Sequence, residues 1–292
     1  MRSQQTVFTA LKVCTEFTSR ATGRGNQKKC VKGQPATTAT YFSRRDFGTQ
    51  TLSTVALWSS LCAPPAEASL SAFERAFYQA MEAGSTTKAD EAWSRAINLS
   101  PENAAAWSNR GTLRLQLGRW EDANTDLQFA KELELRQNGE ANSLLLNNLG
   151  NTQGAIGEWD RAIENYLSAS KDPSMSEIAL ANYALALFQI GESEAGLKEA
   201  QSLVRKDPNF WDMRAAVTAF LWGAGQEAAA EASWEDLKAC GDGLGAALYS
   251  SVDRVKGRWP PRATAALAAF LALERTGEAM DYDGEVKTYS FN

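Results

Sequence analysis

Two stretches of this chain repeat each other in register. SNRGTLRLQLGRWEDA (108–123) aligns with NNLGNTQGAIGEWDRA (147–162), 39 residues on. Asn109 meets Asn148, Gly111 meets Gly150, Gly118 meets Gly157, Trp120 meets Trp159 and Ala123 meets Ala162. A third stretch, ANYALAL, sets Ala184 34 residues after Gly150. A unit of this length cannot bury its apolar face alone. It must stack on its neighbours, which confines the chain to an array of like units. The units are Ala-rich with helical rather than alternating periodicity, so the array is all-α.

The small residues have a packing reason. Gly or Ala midway along a first helix, and Ala in a second, let paired helices approach closely, while Trp, Leu, Phe or Tyr fill the space between them. The Gly between helices suits a left-handed helix end. Units fall over residues 70–101, 104–137, 143–176, 177–208 and about 211–240. In the first, Phe77 stands where Gly or Ala is expected; in the fourth, Gly196 and Ala200 stand where Ala and a bulky residue are expected. The five extra residues of the longer period fall near RQNGEAN (136–142), read as a polar turn.

This pattern resembles the tetratricopeptide repeat (TPR), a helix–turn–helix unit of 34 residues. The resemblance covers residues 69–240 and implies a helical solenoid with a concave groove lined by the first helices. Beyond it, Leu244–Lys256 reads as one helix and 262–275 as another, after Pro260 and Pro261. These are expected to cap the solenoid over 241–275, the last burying its apolar face on the fifth unit. Residues 276–292 form an acidic, aromatic tail.

The first 68 residues have a different composition. Of the chain's 30 bases and 35 acids, nine and three fall there, which leaves 21 against 32, a net charge of −11, for the remainder. Residues 1–40 are basic and hydroxyl-rich with one acid, the pattern of an organelle transit peptide. In residues 41–68, Arg44 and Arg45 precede Phe47, an apolar run extends from Leu52 to Cys62, and Ala66-Glu67-Ala68 forms an A-x-A cleavage site. That run is about half of the roughly 20 apolar residues a membrane span needs. The pair resembles the bipartite leader of proteins sent to the chloroplast thylakoid lumen by the twin-arginine route. Gly48, where that pattern usually has Leu, is a departure.

Several functions are argued against. The chain has no histidine, which removes the commonest general base and metal ligand. No Gly-rich phosphate loop precedes a helix, so neither an enzyme nor a cofactor site is expected. Of Cys14, Cys30, Cys62 and Cys240, only the last lies beyond the leader, so no Cys-rich metal site is expected in the body. An acidic body argues against nucleic acid, and nothing is expected to span a membrane.

The resemblance points to a protein partner. Asn109, Asn148 and Asn182 fall at one place in three successive first helices, with Asn147 and Asn151 beside the middle one and Thr112 and Arg114 one turn on. Asn is a mediocre helix former, so three in one register suggest a use. Two uses fit: holding the backbone of an extended segment in the groove, or bridging neighbouring helices. Segments 143–156 and 178–190 hold no base, unlike repeat proteins that clamp chaperone carboxylates. The groove should therefore prefer a neutral or basic segment. With the leader, the resemblance implies a lumenal scaffold assisting a photosynthetic complex and holding an extended segment of one of its subunits. The alternative is a structural subunit docking through its C-terminal helices. Trp93, Trp107, Trp120, Trp159 and Trp234 read as core, whereas Trp211, Trp222 and Trp259 are candidates for exposed anchors.

Overall fold

The computed structural model describes residues 70–84 and 86–277. Arg44, Arg45, Phe47, Ala66 and Ala68, with the rest of the leader, and the tail beyond 277 lie outside the described residues. Ten helices form five consecutive hairpins: α1 (Ala72–Glu82) with α2 (Thr87–Leu99), α3 (Ala104–Gln116) with α4 (Trp120–Asn138), α5 (Ser143–Ala155) with α6 (Trp159–Ala169), α7 (Ser176–Ile190) with α8 (Ser193–Lys206), and α9 (Trp211–Gly223) with α10 (Glu227–Lys238). No strand occurs among the described residues.

Local chemistry sets the helix starts. Ser71 and Glu74 form a reciprocal capping box on α1. The Asn103 side chain accepts from the Ala106 N–H at 3.0 Å on α3, and Asn142 accepts from Leu144 and Leu145 on α5. Between first and second helices the chain turns through a glycine in the left-handed region, as at Gly157 with φ 87°.

The hairpins close at small residues. A Cβ on Gly150 would lie 2.6 Å from the Tyr166 ring, and one on Gly111 2.7 Å from Leu127. In the fourth hairpin the demand moves to the second helix, where a Cβ on Gly196 would lie 2.8 Å from the Ala184 carbonyl. The first hairpin replaces the small residue by Phe77, set edge-on to Trp93 with ring centroids 4.8 Å apart.

The extra residues of the longer period extend a helix rather than a turn. Helix α4 has 19 residues against 11 in α6, because Leu127, Ala130, Leu133 and Glu134 continue one buried side. The buried Glu134 carboxylate accepts from the Asn142 N–H at 2.5 Å, tying the end of α4 to the start of α5.

The C-terminal region also departs from expectation. Leu244–Lys256 is not one helix: α11 (Leu244–Tyr249) is followed by extended Ser251 and a 3₁₀ turn, Val252–Arg254. The Ser251 hydroxyl accepts from the Asp253 N–H and so starts the turn. Asp212 on α9 anchors both ends of this interrupted segment. It accepts from the Tyr249 hydroxyl at 2.7 Å, from Arg258 Nη2 at 2.6 Å and from Trp259 Nε1 at 3.2 Å. Burial first, and then the Asp212 charge, push the Tyr249 phenol up, so it remains a donor. Helix α12 (Pro261–Gly277) then packs on α9 and reaches α7. Trp211 and Trp259, expected as candidate exposed anchors, are buried at 6% and 4% exposure. Trp222 is half-buried with its ring against Phe270. Each lies where the last hairpin meets its cap, and contacts between the two, rather than contacts between repeats, bury it.

Burial pushes the Glu134 carboxyl up against the opposing bond from Asn142. A raised folded value stabilises the fold below the ordinary glutamate range, and that contribution is lost as pH rises through the raised value. Glu134→Gln keeps an acceptor for Asn142. Its melting temperature should exceed that of the parent chain at neutral pH, by about 2–4 °C for each ~1 kcal/mol gained. The advantage should vanish near about pH 4, as thermal denaturation across pH would read.

Candidate functional site

First helices α3, α5, α7 and α9 lie side by side, so their shared face is continuous from the second hairpin to the fifth. On α3, residues four apart share a side. Arg110 and Arg114 point into the hairpin interior. Arg110 forks onto Asp126 at 2.8 and 2.9 Å, reaches the Ser94 hydroxyl at 3.0 Å and stacks over Trp107. Arg114 donates to Asp126 at 2.9 Å and to Asp90 at 2.8 Å. Arg119 closes the set on Asp90 and Asp122. Burial pushes the Asp90 carboxyl up, but the bonds from Arg114 and Arg119 outweigh it and hold it below the ordinary carboxylate range. Arg114, expected beside Thr112 in the groove, is thus held between α2 and α4 with its side chain 14% exposed.

The asparagines form a ladder across the shared face. Asn148 Nδ2 donates to Thr112 Oγ1 at 3.1 Å, joining α5 to α3. Asn182 Nδ2 donates to Asn147 Oδ1 at 3.0 Å and to Asn151 Oδ1 at 3.3 Å, joining α7 to α5. Asn151 Oδ1 also accepts from the Tyr166 hydroxyl at 3.0 Å, and burial pushes that phenol far up, so it remains a donor. Asn147 and Asn148 are buried; Asn109, Thr112, Asn151 and Asn182 are half-buried. The structure therefore joins Thr112, Asn147, Asn148, Asn151 and Asn182 as bridges between neighbouring helices, while the Asn109 side chain makes no hydrogen bond among the described residues.

The ladder leaves hydrogen-bonding capacity over. Asn147 and Asn151 keep Nδ2 donors, Asn148 and Asn182 keep Oδ1 acceptors, and Asn109 keeps both, none with a partner in the described residues. None of these atoms is sealed from solvent. Donors and acceptors distributed along one face are what an extended backbone can pair with.

A second polar row follows the repeat register. Asp126 and Arg114 become Asn165 and Gln153 39 residues on, and Asn165 Nδ2 donates to Gln153 Oε1 at 2.7 Å. Lys131 then donates to Asn165 Oδ1 at 2.9 Å, joining the second helices of successive hairpins. The repeat alignment held this signal: two facing slots stay polar together from one unit to the next. Among the described residues, no His, Cys, Asp and Glu cluster is placed to hold a metal ion, and no helix is long and apolar enough to cross a membrane.

The two polar systems should differ in weight. Asp126→Asn leaves two guanidiniums without their buried counter-charge and should lower stability by about 3 kcal/mol. Asn182→Ala removes two hydrogen bonds at a half-exposed site and should lower it by about 1–2 kcal/mol. Urea unfolding of both variants checks the order.

No protein-family model matches the chain. Over 73 residues it is 30% identical to a TPR repeat-containing protein of Rhizobium etli, a match covering 24% of this chain and 36% of that protein. The chain thus matches only about a third of that relative's length. In fold it is similar to the MamA protein, with a TM-score of 0.51 at 16% identity over 56% of this chain and 88% of that one. The structure of Pseudomonas aeruginosa pilF overlaps less well, with a TM-score of 0.48 at 16% identity over 73% of this chain and 91% of that one. The hairpin array, its in-register small residues, the likeness in fold to the MamA protein and the short match to the Rhizobium etli protein together make the described residues a TPR-type helical solenoid with C-terminal capping helices.

Proposed function

We propose that this chain is a non-catalytic binding scaffold that holds an extended segment of a partner protein along the face of α3, α5 and α7. The observation that carries this reading is the asparagine ladder. It presents unpartnered amide donors and acceptors in a row, on helices that the same ladder holds in fixed register. Among the described residues the three buried acids are bound to structural donors: Asp126 to two arginines, Glu134 to a backbone N–H, and Asp212 to Tyr249, Arg258 and Trp259. None is placed as a free general acid or base.

The proposed compartment is the thylakoid lumen, and the proposed role is to assist assembly, stability or repair of a photosynthetic complex. The leader supports the compartment through Arg44, Arg45 and Phe47 followed by Ala66-Glu67-Ala68. The role rests on fold and compartment together rather than on residue chemistry. Mapping the N-terminus of the mature protein tests the address. A start near Ser69 is expected; retention of the leader would count against it.

A second reading, docking through the C-terminal helices, is favoured by one observation. Ala265, Ala268 and Ala269 lie on the exposed side of α12. Ala268→Glu places a charge there without touching the buried side. Replacing Asn109, Asn148 and Asn182 together by Ala should reduce partner co-purification from thylakoid lumen at least about tenfold, the effect of ~1.4 kcal/mol, while Ala268→Glu leaves it unchanged. The reverse pattern would move the binding site to α12.

A further inference from the structure

The geometry points to α12 as a fixed stop on the groove, which limits the ligand to a short stretch internal to a neutral or basic extended segment. This rests on the groove reading above and adds its boundary and its ligand class.

The ladder ends at one hairpin, and the register shows where. Trp107 Nε1 donates to the Pro101 carbonyl at 2.8 Å, and Arg214 Nε donates to the Pro208 carbonyl at 2.6 Å, each from six residues on. These matched contacts align α3 with α9. Eight residues past Pro101 stands Asn109; eight past Pro208 stands Ala216. Thr112 is likewise matched by Ala219, and both alanines are completely buried. The position of Asn109, Asn148 and Asn182 is therefore alanine in the fifth hairpin, and the position of Thr112 and Asn151, already Leu185 in the fourth, is alanine there as well.

Helix α12 packs on that fifth first helix. It buries Ala263, Leu267, Phe270 and Leu271, with Phe270 edge-on to Trp222 and Trp234. A Cβ on Gly223 would lie 2.6 Å from the Phe188 ring and 3.4 Å from Ala266, so α7, α9 and α12 meet there without spare room. The start of α12 also sits on the ladder stripe itself. Gln189 lies seven residues, two helical turns, beyond Asn182 on α7, and its Oε1 accepts from the Arg262 N–H at 2.9 Å. The Arg262 guanidinium donates to the Phe188 carbonyl at 3.0 Å and to the Ser193 hydroxyl, and lies over the Phe188 ring. Asp212 fixes Arg258 and Trp259 just before α12, so the helix is held from both neighbouring elements.

What remains open runs from α3 to α7. Two interhelical steps of about 8–10 Å and about 3.3–3.6 Å per extended residue give room for roughly five or six residues. The arginines nearest this stretch, Arg110 and Arg114, are paired with Asp126 and Asp90, and α5 and the ladder-bearing part of α7 carry no base. Along α3, α5 and the ladder-bearing part of α7 no cation is left for a terminal carboxylate or an acidic side chain; Arg75, at the register of Asn109 on α1, and Arg262 lie beyond its two ends. The ligand is consequently read through its main chain, within a longer chain.

Two measurements on the full chain test this. Hydrogen exchange of the free protein should show amides over 263–271 opening together with those of α9. Opening of α12 while α9 stays protected would make it a displaceable lid and overturn the stop. An array of end-blocked peptides of about twelve residues, neutral, basic or acidic, should bind with neutral and basic members preferred. Truncation of a binder to about six residues should change its affinity less than about twofold, and Asn148→Ala with Asn182→Ala should weaken it at least about tenfold. Ladder-dependent affinity that keeps rising past about eight residues, or a preference for acidic members or free C-termini, would overturn the inference but keep the groove. Peptides that bind regardless of the ladder substitutions, or none that bind, would overturn the groove reading and the ligand class with it.

Discussion

Everything in this solenoid depends on how closely the two helices of a hairpin can approach. At Gly111 and Gly150 the partner helix sends Leu127 or Tyr166 into the space a Cβ would occupy. A methyl group there would have to displace a packed side chain, and overpacking of that kind costs about 1–3 kcal/mol. The approach also sets where the outward-facing side chains fall. Tyr166 fills the space over Gly150, and its hydroxyl therefore reaches Asn151, the next residue along α5. One small residue thus places both a core contact and a rung of the ladder.

The two ends of the solenoid are held together by different physics. From α2 to α7 small apolar clusters are joined by polar links: the arginine–aspartate set, the Asn165–Gln153 pair with Lys131, and the asparagine ladder. From α7 onward one apolar cluster takes over, centred on Phe188, Phe220, Trp234, Leu267 and Phe270, with Phe188 and Phe220 stacked 4.2 Å apart. Polar joints demand particular partners and so fix register, whereas apolar contact rewards area with little regard for direction.

The sequence is most legible where a short period governs the contacts. The helices of the second and third hairpins stand in one 39-residue register, and Gly111 and Gly150 carry the packing role their size implies. Legibility fails where one residue answers to partners far along the chain. Trp211, Trp222 and Trp259 look unconstrained in the sequence because their surroundings come from the cap, not from a repeat. The expected helix over 244–256 is interrupted so that Tyr249 and Trp259 can both reach Asp212, 37 and 47 residues away. The nearness of Arg114 to Thr112 suggests the groove, but Arg114 lies on the side shared with Arg110. The aspartates that claim it come from two other helices. Asn165 and Gln153 are readable in principle, since their register partners Asp126 and Arg114 are also a polar pair.

The change from polar to apolar joints bears on why the ladder sits where it does. An asparagine on a first helix can bridge to the next helix and still offer an amide atom outward only if the face above it stays wet. Over α3, α5 and α7 it does, and Asn109, Asn151 and Asn182 are half-buried rather than sealed. On α9 the equivalent position is completely buried within the apolar cluster, and an asparagine at position 216 would bury an amide there. Such a group without a partner is destabilising by about 1–3 kcal/mol. Alanine at 216 and 219 suits positions that are completely buried in the apolar cluster, whereas Asn148, buried in the same register slot as Ala216, keeps its amide on Thr112. The residue at each register position therefore follows whether a polar partner or solvent is within reach of it.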